Sequence, residues 1–230
     1  MPNSSNITLR NAALIAGFGL MAMTIFAIGA IYVIFPKLVV FDDAAITVSN
    51  LISNESLFRT GITFLIIVAI LDVLVAWALY VYLEPIEHNL SLLAAWLRLV
   101  YSTILCVALF KYIDVLHFIN DESYLKITGS ELMQANVMFS ISAFDRAWSI
   151  GLVFFGLHLS LIGYLILRSS SIPKFLGLIL VAAGIAYLVD NLGMIVTNSY
   201  DLGIATYVGW GELLLMFWLL YKGGRENKEI

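Results

Sequence analysis

Six apolar blocks divide this chain: Ala12–Phe35, Gly61–Leu83, Leu90–Phe110, Val137–Leu167, Phe175–Val196 and Ile204–Tyr221. A helix of about 20 residues matches the ~30 Å hydrocarbon layer of a bilayer. In lipid, only a structure that satisfies its own backbone hydrogen bonds survives, and a helix does so within one segment. The blocks therefore predict an all-α polytopic membrane bundle with about six transmembrane helices, forming one transmembrane domain over residues 1–230. Of the 230 residues, 61% are apolar and 12% charged, too few charges to clothe a soluble domain of this size.

The first block is too long for a signal-peptide core and shows no small-residue cleavage pattern, so it is expected to stay as a helix of the mature protein. The net charge of −4 says little about partners, and no basic patch points to nucleic acid, so none is expected. The expected partners are the bilayer itself and a lipid or small-molecule ligand, and no oligomeric state is indicated. The single cysteine, Cys106, excludes an intrachain disulfide. His88, His117 and His158 do not stand at ligand spacing, and there is no phosphate loop or Ser-His-Asp arrangement, so neither metal nor cofactor is expected.

Proline punctuates the blocks. Pro36 follows the first, Glu84-Pro85 closes the second, and Pro173 opens the fifth, where its missing N–H costs nothing. Short turns at Glu84–Asn89, Arg168–Lys174 and Thr197–Gly203 make the helices on either side antiparallel neighbours. Between the first two blocks, Ala44, Ala45, Val48, Leu51 and Ile52 recur at helical spacing behind Asp42 and Asp43. They predict a short amphipathic surface helix over 43–53, with Asn54 capping the next helix. The polar stretch Asn120–Ser130 reads as an exposed loop. Block four is longer than the hydrocarbon needs, and its membrane portion is expected at Trp148–Leu167, leaving Asp145 and Arg146 at the outer mouth.

Six crossings put both termini on one side. That side carries Arg10, Arg168, Lys174, Lys222, Arg225 and Lys228, against Lys37, Arg59, Lys111 and Lys126 opposite. The basic excess predicts both termini in the cytoplasm of a cell (inner) membrane protein.

Several stretches carry a likeness. They include Asn54-Glu55-Ser56-Leu57-Phe58-Arg59, Leu71-Asp72-Val73, Leu79-Tyr80 with Pro85 following, and Arg98. They continue with Phe154-Phe155-Gly156-Leu157-His158-Leu159, Gly163-Tyr164-Leu165, Arg168-Ser169 and Ile172-Pro173-Lys174-Phe175-Leu176-Gly177. Ala183-Gly184-Ile185-Ala186-Tyr187-Leu188-Val189-Asp190, then Gly211-Glu212 before Trp218-Leu219-Leu220, complete the set. Together they resemble the membrane family known as domain of unknown function 4386. The resemblance implies a bacterial multi-pass membrane protein and brings no activity, ligand or catalytic residue with it.

An ionisable side chain in hydrocarbon costs about 2.5–3.5 kcal/mol on insertion scales, so each one needs a partner or a wet cavity. Asp72 and Arg98 flank the turn between blocks two and three at nearly matched distances. They are expected to form a structural ion pair between those helices. Asp190 and Glu212 are each eleven residues from Asp201 at the centre of the last turn, which puts them at one depth. With His158, Tyr187, Asp145 and Arg146 they define a candidate polar cavity, in which Arg146 or His158 would be the nearest basic group. A lone His158 could equally be a neutral imidazole bonded to the hydroxyl of Tyr101, Ser102 or Tyr187.

Three functions fit these features. The first is an ion- or small-molecule-handling protein working through the polar cavity. The second is a structural or sensory component with paired charges. The third is a lipid- or isoprenoid-modifying enzyme using His158, Asp190 and Glu212 as acid/base groups.

Overall fold

The six apolar blocks are six helical spans in the structure, a computed structural model that describes residues 7–197, 200 and 202–225. Asp201 and Lys228 lie outside the described residues. The helices are α1 (Leu9–Ile28), α2 (Phe35–Leu38), α3 (Ala44–Ser53), α4 (Glu55–Leu83), α5 (His88–Asn120), α6 (Glu122–Arg168), α7 (Lys174–Val196), α8 (Ile204–Val208) and α9 (Gly211–Tyr221). A π-helical stretch, Gly29–Ile34, links α1 to α2, so the first apolar span runs unbroken over Leu9–Leu38. No strand occurs among the described residues, as an all-α membrane bundle requires.

Pro36 does not end the first span. A proline ring collides with the carbonyl four residues back in an α-helix. Here the helix widens just before it, and the Phe35 N–H donates to Ala30 O, five residues back, so the chain stays helical to Leu38. The stretch expected as an exposed loop also differs. Asp121 Oδ1 accepts from the N–H groups of Ser123 and Tyr124, at 2.9 and 3.0 Å, and starts α6 at Glu122. The non-helical residue is Gly129, at φ 75°, ψ 169°, a conformation open to glycine. Asn54 stands at the junction of two helices: it ends α3, with its side-chain amide donating back to Asn50 O at 3.0 Å, and its carbonyl accepts the first bonds of α4 from Leu57 N and Phe58 N at 3.0 and 3.2 Å.

The described residues group into two compact units. One is residues 23–70 with 103–149. Its core is built from Ile34, Leu38, Leu51, Phe58, Val137 and Phe144, with Tyr112 stacked on Phe144 at 4.1 Å. The helix α3 belongs to it: Asp43 Oδ1 accepts from Ile46 N at 2.9 Å, and Thr47, Val48 and Leu51 are buried. Ala45 and Ile52, from the same apolar set, are exposed.

The other unit comprises residues 1–22, 71–102 and 150–230, described within the limits above. In it α4 and α5 form a hairpin. Glu87 caps α5 through Leu90 N at 2.5 Å, and Ser91 Oγ donates to Tyr80 O at 2.9 Å. Arg10 donates to the carbonyls of Leu219, Leu220 and Gly223, satisfying acceptors at the end of α9.

In the same unit α6 and α7 meet along a ladder of glycines. A Cβ on Gly156 would stand 2.8 Å from Gly184 O, and one on Gly163 would stand 2.7 Å from Gly177 O. The reverse approaches are as close, at 2.6 Å for Gly184 to Gly156 O and 2.7 Å for Gly177 to Gly163 O. Without hydrophobic attraction between helices in lipid, such backbone contact supplies the packing energy that holds them together.

Candidate functional site

Arg98 is the centre of the buried charge. It lies on α5 with no exposed surface, as does Asp72 on α4, and His158 on α6 is 1% exposed. The guanidinium Nε donates to Asp72 Oδ1 at 2.8 Å. Nη1 donates to Glu212 Oε1 at 2.5 Å and also faces His158 Nε2 at 3.0 Å. The phenyl ring of Phe155 lies 5.6 Å from the guanidinium carbon and stacks on the His158 ring at 6.0 Å.

These contacts fix the histidine. A guanidinium has no acceptor atom, so Nε2 of His158 must accept. The proton therefore sits on Nδ1, which donates to Ala94 O at 2.8 Å. His158 is a neutral imidazole with one tautomer, held by a backbone carbonyl and not by the hydroxyl of Tyr101, Ser102 or Tyr187.

The charge count does not close as neatly. Two carboxylates, Asp72 and Glu212, share one guanidinium, which leaves one negative charge over. Asp72 Oδ2 is buried with no hydrogen-bond partner among the described residues, whereas the Glu212 side chain keeps 19% of its surface exposed.

Asp190 and Glu212 go to different partners. Asp190 Oδ1 accepts from the Tyr200 hydroxyl at 2.8 Å, and Oδ2 accepts from Ala205 N at 2.6 Å, capping α8 from a neighbouring helix. Desolvation and the bond to Asp190 both hold the Tyr200 hydroxyl above the usual tyrosine range, which keeps it a donor. The equal-depth argument assumed one straight helix from residue 204 to 221. Instead the helix is interrupted at Gly209–Trp210, with Glu212 in the first turn of α9, so residue counting does not measure depth. Tyr187 packs edge-on against Phe155 at 5.3 Å, and its carbonyl accepts from Asn191.

Arg146 and Asp145 belong to the other unit, where Arg146 is exposed and lies over Phe139 at 5.7 Å. The cation on Glu212 is thus Arg98 and not Arg146. Ala94 and Phe155 escaped the reading of the sequence. Ala94 stands four residues before Arg98 and Phe155 three before His158, so helical spacing alone put both on the faces of interest.

The family described as "Domain of unknown function (DUF4386)" matches the chain over residues 15–223. An uncharacterized protein of Archaeoglobus fulgidus is 33% identical over 164 residues, which cover 71% of this chain and 84% of that protein. No solved structure matches the chain.

Proposed function

The chain belongs to the family described as domain of unknown function 4386, and we propose that it is an ion-handling membrane protein whose Asp72–Arg98–Glu212 centre takes up and releases one proton. The observation that carries this reading is the sharing of one buried guanidinium by two carboxylates. An uncompensated charge in hydrocarbon is costly, and a single proton makes the centre neutral. Glu212 is the group partly open to its surroundings, so the proton exchanges there, while Asp72 and Arg98 hold the centre in place.

The test is infrared difference spectroscopy on the reconstituted protein between acid and alkaline buffers. One protonated-carboxyl band per chain is expected to come and go. Either Asp72→Asn or Glu212→Gln leaves one carboxylate against one guanidinium, so each should abolish it. A band that survives in both variants, or that never appears in the parent protein, overturns the reading. In the latter case the complete burial of Asp72 and Arg98 favours the second reading, a purely structural tie.

The proposed setting is a cell (inner) membrane with both termini in the cytoplasm, from the excess of basic residues on that side. Reporter fusions after Arg225 and within the Ser169–Ser171 turn should both read cytoplasmic, and one at Asp121 external. Finding the fusions at Arg225 and Asp121 on the same side would refute the orientation and the count of crossings together.

A further inference from the structure

The unit that holds Arg98 has a second polar feature, a cavity of about 330 Å³ at the ends of its helices. It opens where α4, α6 and α9 finish and α1 begins, which is the level of one bilayer surface. Arg168 and Lys222 line it with the hydroxyl-bearing turn Ser169–Ser171, and no acidic residue is among its lining residues. Tyr82 and Trp218, paired at 6.3 Å, form part of its wall. Aromatic rings of this kind sit at headgroup level.

The donors are available. Ser169 Oγ is spent on the turn, accepting from Ser171 N and Ile172 N at 3.2 and 3.3 Å. Neither Arg168 nor Lys222 makes an ion pair among the described residues, and Arg168 rests over the Tyr164 ring at 5.9 Å. The end of α9 would ordinarily repel an anion with its free carbonyls. Arg10 takes those of Leu219, Leu220 and Gly223, which removes that obstacle.

We propose that this cavity binds a phosphate group, with Arg168 and Lys222 as its charged contacts and the Ser170 hydroxyl as a neutral donor. Its volume lies in the range of small-ligand sites, and a basic pocket between helix ends at a membrane surface suits a phospholipid headgroup. Free phosphate esters share this chemistry, and the experiment separates the two sources.

Binding is measured on the full chain in neutral detergent, by titration with phosphatidylglycerol, with diacylglycerol, and with glycerol 3-phosphate. Phosphatidylglycerol should bind more tightly than diacylglycerol. Arg168→Gln and Lys222→Gln should each weaken it about tenfold, the scale of one charge-assisted hydrogen bond. Arg59→Gln, an exposed pair-mate of Glu55 in the other unit, should not. Binding of phosphatidylglycerol that glycerol 3-phosphate cannot displace assigns the site to lipid, and displacement at comparable concentration assigns it to soluble esters. Both outcomes support a phosphate site. Equal affinity for diacylglycerol, or affinity unchanged in both glutamine variants, overturns it. Should Arg168→Gln fail to fold, Lys222→Gln, at an exposed position, carries the comparison, and unchanged affinity there overturns the site.

Discussion

Arg98→Gln is expected to be the most damaging single substitution at the buried charge centre, lowering stability by about 3–5 kcal/mol, the usual penalty for stranding a buried charge. It leaves the Asp72 and Glu212 carboxylates without the cation that both contact. The carboxylate variants behave differently. Asp72→Asn keeps the Arg98–Glu212 pair and an amide oxygen facing Nε, so its cost is within about 1 kcal/mol, that of one hydrogen bond. Glu212→Gln likewise keeps the Asp72–Arg98 pair. The double variant Asp72→Asn/Glu212→Gln strands the guanidinium and should lose far more than the sum of the two single losses. Thermal unfolding in detergent, followed by circular dichroism, measures all four. A tolerated Arg98→Gln, or a double variant equal to the sum, would show that the three charges are not one system.

The glycine ladder carries the second large effect. Gly163→Ala places a methyl group where Gly177 O already stands 2.7 Å away, which forces α6 from α7 at a cost of about 1–3 kcal/mol. Gly163→Leu should exceed this and prevent the two helices from packing. Leu178→Ala on α7, at a position 61% exposed, serves as the comparison and should change little, since lipid replaces what is removed. Wild-type thermal stability in Gly163→Leu would contradict the backbone contact.

The number and kind of spans were legible because a run of apolar residues needs no tertiary information to be a membrane helix. Local exceptions were not. Pro36 reads as a stop, yet a π-helical stretch absorbs it, and that widening has no sequence signature. Asn120–Ser130 is polar enough for a loop, but polarity does not oppose helix outside the hydrocarbon, and Asp121 caps one there.

At the site, counting from the α4–α5 turn places Asp72 near Arg98 because both helices are uninterrupted between them, and the two are bonded at 2.8 Å. The same counting pairs Asp190 with Glu212, whereas Asp190 bonds Tyr200 and Ala205 and Glu212 bonds Arg98, beyond a break at Gly209–Trp210. That Glu212 meets Arg98, 114 residues away in sequence, depends on how non-neighbouring helices pack, and no spacing rule reports that.

The sequence positions of the three charges also order the protein's own synthesis. The Asp72–Arg98 bond closes within one hairpin, across 26 residues, so α4 and α5 can leave the insertion machinery already joined. Neither of these charges then has to cross the lipid alone. Of the three charges Glu212 emerges last, on the span Ile204–Tyr221, and meets a guanidinium whose charge is already balanced. Its carboxylate therefore enters the assembled protein as a surplus. On the proton-binding reading, the docking of α9 is the step of biogenesis that the acidity of the surroundings hastens or holds back.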